Sequence, residues 1–163
     1  MPTKVKIKIL DDVELRTVLD GEYEIASQIK MCKYALALAK HILEIVHYKD
    51  IDNVIIQDGF KINEEWQRGN ARMHDVRQAG FRIHQMAKEC DNLLMQTSLR
   101  VVGQAVATGH MKEHALVASD YAIKVINIKY PNDLKAVQQE RKWQIETINS
   151  IKDIWKEITL RFR

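Results

Sequence analysis

Proline stands at only two of the 163 positions, 2 and 131, so the long stretch between them lacks the residue that most effectively breaks a helix. Apolar residues in that stretch recur at three-to-four spacing, and strand-type alternation is scarce. The expectation is an all-α fold, a compact single-domain bundle of about six or seven helices spanning residues 1–163. A hydrophobic content of 46% at this length suits one domain with one core. Residues 4–9 alternate Lys with Val or Ile. That run is too short and isolated for a sheet and predicts a short extended N-terminal arm lying on the helices.

The punctuation between apolar runs sets the expected elements. Asp11 or Asp12 caps a short helix ending at Gly21. The clearest helix runs from Glu22 to His47, with Ile25, Ile29, Cys32, Leu36, Ala39, Leu43 and Val46 in heptad spacing, and is expected to be central. A weaker helix from Ile51 to about Arg68 is capped by Asp50 and interrupted near Asp58–Gly59. Residues 71–89 follow, with Met73, Val76, Gly80, Ile83 and Ala87 inward. Asp91 caps a helix from Asn92 to Thr108 that Gly109 ends, and His110 to about Ile128 forms the next. After a turn at 130–133, a final helix reaches the terminus with Leu134, Val137, Arg141, Ile145, Ile148, Ile151, Trp155, Ile158 and Phe162 on one face.

Several function classes are disfavoured. The net charge of +3 is small, and the short basic groups, Lys4, Lys6 and Lys8 at one end and Arg161 and Arg163 at the other, make no extended stripe, so no nucleic-acid partner is expected. No run approaches the roughly 18 apolar residues of a membrane span, and the N-terminus lacks an apolar signal core. A cytoplasmic protein without a membrane partner follows. Cys32 and Cys90 have no metal-type or CxxC spacing. The glycines form no phosphate loop, and no GxSxG elbow is present. Acidic pairs such as Asp11–Asp12 read as solvated helix starts, and no cofactor is implied.

The segment from Arg100 to Lys124 is crowded with small residues (Gly103, Ala105, Ala107, Gly109, Ala115, Ala118, Ala122) yet carries Arg100, His110, His114, Tyr121 and Lys124. Small residues let helix backbones approach closely, and polar groups caught between them need partners. His110 to His114 spells HxxEH, the inverted zinc-protease motif. Peptidases using it have longer chains and an α/β scaffold, and Glu113 points about 100° away from His114 around a helix. A bundle site joining His84 to His110 and His114 is the chemically better metal reading, and it defines the alternative function, a metal-dependent helical-bundle enzyme. Arg141 falls among Val137, Ile145 and Ile148, so its guanidinium must meet a buried acceptor (Glu113, Asp120, a histidine or helix-end carbonyls) or line an open cleft. Arg100 has Gln96 and Gln104 one turn to either side. Lys124 and Asp120 read as a surface pair at i, i+4. Trp143 lies off its helix's apolar line, as a core-edge cover or an interface anchor.

These features resemble the Imm-five-like family of putative bacterial immunity proteins. IASQIKMCKYALALAKHILEIV at 25–46 looks like that family's long first core helix, and AGFRIHQMAKEC at 79–90 is similar to its AAFxAHxxAR-type helix, with Phe81 and His84 in matching places. RVVGQAVATGHMKEHALVASDYAIKVI matches a pattern close to RAxGHAVATAHxxxHALGAxxYAxKA at Arg100, Gly103, Ala105, Val106, Ala107, Thr108, His110, His114, Ala115, Ala118, Tyr121, Ala122 and Lys124. ERKWQ at 140–144 is similar to an ERxWQ element through Glu140, Arg141, Trp143 and Gln144. Gln104 stands where the pattern often has histidine, and Gly109 replaces a small helical residue.

The resemblance implies a small helical protein of the bacterial cytosol that binds and neutralises a cognate protein toxin without turnover, and it supplies no catalytic set. The candidate polar network or binding site is His84, Arg100, His110, His114, Tyr121, Glu140, Arg141 and Trp143. An apolar flank around Trp66 or Trp143 is compatible with a homodimer seam.

Overall fold

Most helix starts are drawn by one polar side chain that accepts from backbone N–H groups the helix itself leaves free. In a computed structural model describing residues 4–153, Asp12 caps α1 (Val13–Ile25) through Leu15 N, and Ser27 caps α2 (Gln28–Ile45) through Lys30 N. Asn53 caps α3 (Val54–Gln67) through Ile55 N and Ile56 N. The backbone N–H of Arg72 donates to Asp75 at the start of α4 (Met73–Glu89). Asn92 caps α5 (Leu93–Ala107), and Asp133 caps α7 (Leu134–Ser150) after the 130–133 turn. At α6 (His114–Lys129) the N-cap residue, Glu113, makes no side-chain cap hydrogen bond. Seven helices and no strand occur among the described residues, an all-α bundle.

The boundaries depart from expectation where capping outweighs apolar periodicity. α1 passes through Gly21 to Ile25, and the break falls at Ala26–Ser27. Ser27 ends the continuity expected from Glu22 to His47: its hydroxyl caps α2 while its own N–H donates to Asp153. Ile25 consequently lies outside the core, 66% exposed. Asn53 and Asn92, rather than Asp50 and Asp91, are the caps of their helices. α3 is uninterrupted at Gly59, which is a packing position: a Cβ there would stand 2.8 Å from Ile83 Cδ1. Met73 and Leu134, expected inward, are the first residues of their helices and are exposed.

His110 precedes α6, because residues 108–113 make successive turns tied by His110 N to Ala107 O and His114 N to Met111 O. Gly109 is buried against Val76 and Trp66 at that bend. α7 ends at Ser150, and the inward positions expected at Trp155, Ile158 and Phe162 lie outside the described residues.

α5 is the centre of the bundle, packed on α4, α6, α2 and α3. Val101, Val102, Ala105 and Val106 on α5 are fully buried, as are Met31, Ala35, Leu38 and Ile42 on α2. Small residues bring α4 and α5 close, since a Cβ on Gly80 would stand 3.3 Å from the Gly103 carbonyl. α7 lies mainly on α1, α6 and α2. The segment before α1 is non-helical, with its lysines exposed and Val5, Ile7 and Ile9 half-buried. Asn127 on α6 clasps it by accepting from Leu10 N at 2.8 Å and donating to Leu10 O at 3.1 Å. No helix among the described residues is long and apolar enough to cross a membrane.

Candidate functional site

The structure divides the candidate residues into separate groups. The first centres on Arg141, which has no exposed surface. Its Nε and Nη2 fork onto Asp11 at 2.9 and 2.7 Å, Nη2 also donates to Asp120 Oδ1 at 2.9 Å, and Nη1 donates to Gln144 Oε1 at 2.9 Å. Arg16 approaches Asp120 from the other side, Nε to Oδ1 at 2.9 Å and Nη2 to Oδ2 at 3.2 Å, while its Nη1 pairs with Asp20 at 3.1 Å. Two guanidiniums and three carboxylates thus join the N-terminal arm, α1, α6 and α7. Paired and hydrogen-bonded in this way, charges can remain away from water.

Gln144 extends the network by donating to Ser119 O at 3.2 Å. The Ser119 hydroxyl donates to Ala115 O, so the Tyr34 hydroxyl, 2.6 Å away, donates to Ser119 Oγ. Of the acceptors expected for Arg141, Asp120 is present. Asp11, read from sequence as solvated, is the forked partner. Asp120 is buried in this network and does not form the surface pair expected with Lys124.

Glu140 and Trp143, neighbours of Arg141 on α7, turn toward α2. His41 Nε2 lies 2.8 Å from Glu140 Oε2, and because a carboxylate only accepts, that ring nitrogen carries the hydrogen. The His41 and Trp143 rings stack with centroids 3.7 Å apart and planes inclined by 6°. Glu140 is 95% buried as a residue, 5% exposed, and its Oε1 has no hydrogen-bond partner among the described residues. These side chains line a cleft of about 590 Å³ between α2, α7 and the end of α6.

The third group lies where α4, α5 and α6 meet. The ring of His84 sits over Gly103, so close that a Cβ would be 2.6 Å from it. Arg100 Nη1 is 3.3 Å from His84 Nδ1, and Gln104 Nε2 is 3.5 Å from His84 Nε2. A neutral imidazole has one acceptor nitrogen and cannot satisfy both donors. Gln104 Oε1 accepts from His114 Nδ1 at 2.6 Å, which links His84 to His114 through the amide. Burial, reinforced by Arg100, His114 and Lys88, brings His84 down to about 4. His114 is also lowered, by burial and then by His110, against the opposing pull of Glu113. These two rings are neutral at pH 7.

This geometry answers the metal reading. His110 and His114 do not share a helix, and their ring centroids are 5.7 Å apart. Donor groups approach both nitrogens of His84. Among the described residues no three His, Cys, Asp or Glu side chains are placed to hold a metal ion. Cys32, buried beside Asn63, has its thiol pushed up to about 12 by burial and is no nucleophile at neutral pH. Tyr121 is half-buried against the main core and belongs to neither histidine group by any hydrogen bond described.

In comparison with known families, the model described as Imm-5 like putative immunity protein matches residues 21–151, well over half of the chain. The chain belongs to the Imm-5 like family. Comparison with the curated proteins and with the solved structures yields no match. The family region takes in all three groups of polar residues except the arm and most of α1, so Asp11, Arg16 and Asp20 contribute to the Arg141 network from outside it. Sequence reasoning missed these three, together with His41, Tyr34 and Ser119. Arg16 and Asp20 do carry a signal, an i, i+4 ion pair on a helix, but nothing in their spacing shows which face of α1 is covered.

Proposed function

We propose that this Imm-5 like family member is an immunity protein that binds a cognate bacterial toxin in the cytosol and neutralises it stoichiometrically, without turnover. The observation that carries this reading is the family match over residues 21–151. The side-chain geometry is in keeping with it. Arg141 and its carboxylates are engaged in mutual pairing, which ties α1, α6 and α7 together. A rigid, pre-organised surface loses little entropy on docking. An interface of roughly 1,600 Å² with a few well-buried anchors suffices for tight association.

The test is co-expression with the product of a toxin gene found beside this one. Growth is rescued by the intact protein, and the purified pair elutes as a defined complex by size-exclusion chromatography with light scattering. Failure of both rescue and complex formation rejects the proposal.

A further inference from the structure

We infer that the cleft between α2 and α7 is a receptor for an arginine side chain presented by a loop of the protein partner, with Glu140 as its counter-charge. This deepens the toxin-binding reading and rests on it for the identity of the partner. Glu140 lines the cleft, almost wholly withdrawn from water, and among the described residues only one of its oxygens is engaged, by His41. A buried carboxylate oxygen without a donor is costly, so a donor that reaches it is bound strongly. The terminal torsion of a glutamate is broad, and a small turn of the carboxyl group presents Oε1 to an entering group.

The remaining walls select the donor. Trp143 and Tyr130 offer aromatic surface, and Ile45 and Ala136 offer an aliphatic side. A guanidinium combines a flat cation that lies against aromatic rings with paired N–H groups that match a carboxylate, on an aliphatic stem; an ammonium lacks the flat fork. Asp133 and Lys135 also line the cleft, so that with Glu140 the carboxylates outnumber the lysine two to one, which sets its complementarity to a basic group. At about 590 Å³ it is larger than a single side chain needs and accommodates the flanking residues of a loop tip.

The experiment titrates the purified protein with N-acetyl-arginine methylamide and, separately, with the citrulline analogue, which keeps the shape and lacks the charge. The indole N–H of Trp143 and the ring of His41 are followed by NMR. Saturable shifts at these two residues with the arginine compound, at least tenfold weaker with citrulline, are expected. Glu140→Gln weakens the arginine response at least tenfold. Ala136→Phe, which fills the cleft wall and leaves Glu140 untouched, does the same and covers the case in which Glu140→Gln misfolds. Equal responses to arginine and citrulline, or unchanged binding in a folded Ala136→Phe variant, overturn the inference. Toxin co-expression reads the two proposals apart. Rescue that is intact in both variants discards the arginine receptor and leaves the immunity function standing, whereas a specific arginine response without rescue by the intact protein keeps the receptor and discards the toxin.

Discussion

Arg141 holds together parts of the chain that are distant in sequence, because its guanidinium is forked onto Asp11 and shared with Asp120 without any exposed surface. Removing one partner of such a group leaves buried charge uncompensated, at about 3–5 kcal/mol. Arg141→Met should lower the free energy of unfolding in urea by that amount, and Asp11→Asn by less. The double variant should lose at least ~1 kcal/mol less than the sum, since each single change already breaks the same bond; strict additivity would mean the pair contributes nothing as a unit. His84 gives a pH prediction. Its folded value, about 4, lies below the ordinary histidine value of 6.5, so the neutral ring contributes stability that is full above pH 6.5 and is lost as pH falls toward 4. After allowance for partial solvent screening, the loss attributable to His84 is on the order of 1–2 kcal/mol. Denaturant midpoints measured across that window should fall, and the slope should flatten in His84→Gln. Gly103→Ala should displace the ring, with its imidazole then titrating closer to 6.5 in NMR.

The elements are set by caps more than by apolar stripes. Ser27 is the instructive case: the residues around it continue a helical period, yet its hydroxyl closes α2 and its N–H meets Asp153 from beyond α7. Ser27→Ala should cost about 1 kcal/mol in thermal or chemical unfolding by loss of the cap. The same variant should raise amide exchange in the first turn of α2 without altering the end of that helix. Gly59 and Gly103 show the complementary effect, in which a missing side chain admits a neighbour: Ile83 in one case and His84 in the other. Neither breaks its helix, because the close packing that each permits repays the conformational freedom a glycine loses.

Across the whole molecule, protection should follow packing around α5. This helix is covered by α2, α3, α4 and α6, whereas the N-terminal arm is held by Asn127, the half-buried side chains of Val5, Ile7 and Ile9, and the Asp11 fork. Native-state hydrogen exchange should therefore find the slowest amides in α5 and the buried half of α2, opening only with global unfolding, and the fastest in residues 4–10. Slow exchange in the arm matching that of α5 would contradict this ordering.

Helix content, the place of α2 in the core and the need of Arg141 for an acceptor or a cleft were legible in the residues, because periodicity and the scarcity of proline act locally and a cation among aliphatics announces that it needs a partner. The YPND turn and the resemblance to the Imm-5 like family were legible for the same reason, being contiguous motifs. Tertiary structure alone decided that Asp11 reaches Arg141 across 130 positions, that His41 shares a carboxylate with α7, and that His84 and His114 meet through Gln104. It also separated the eight candidate side chains into groups that periodicity had left together. The reason is physical: side-chain spacing along a helix tells which residues share a face, whereas the partner of that face depends on how whole helices pack, a choice made by the sum of many weak contacts.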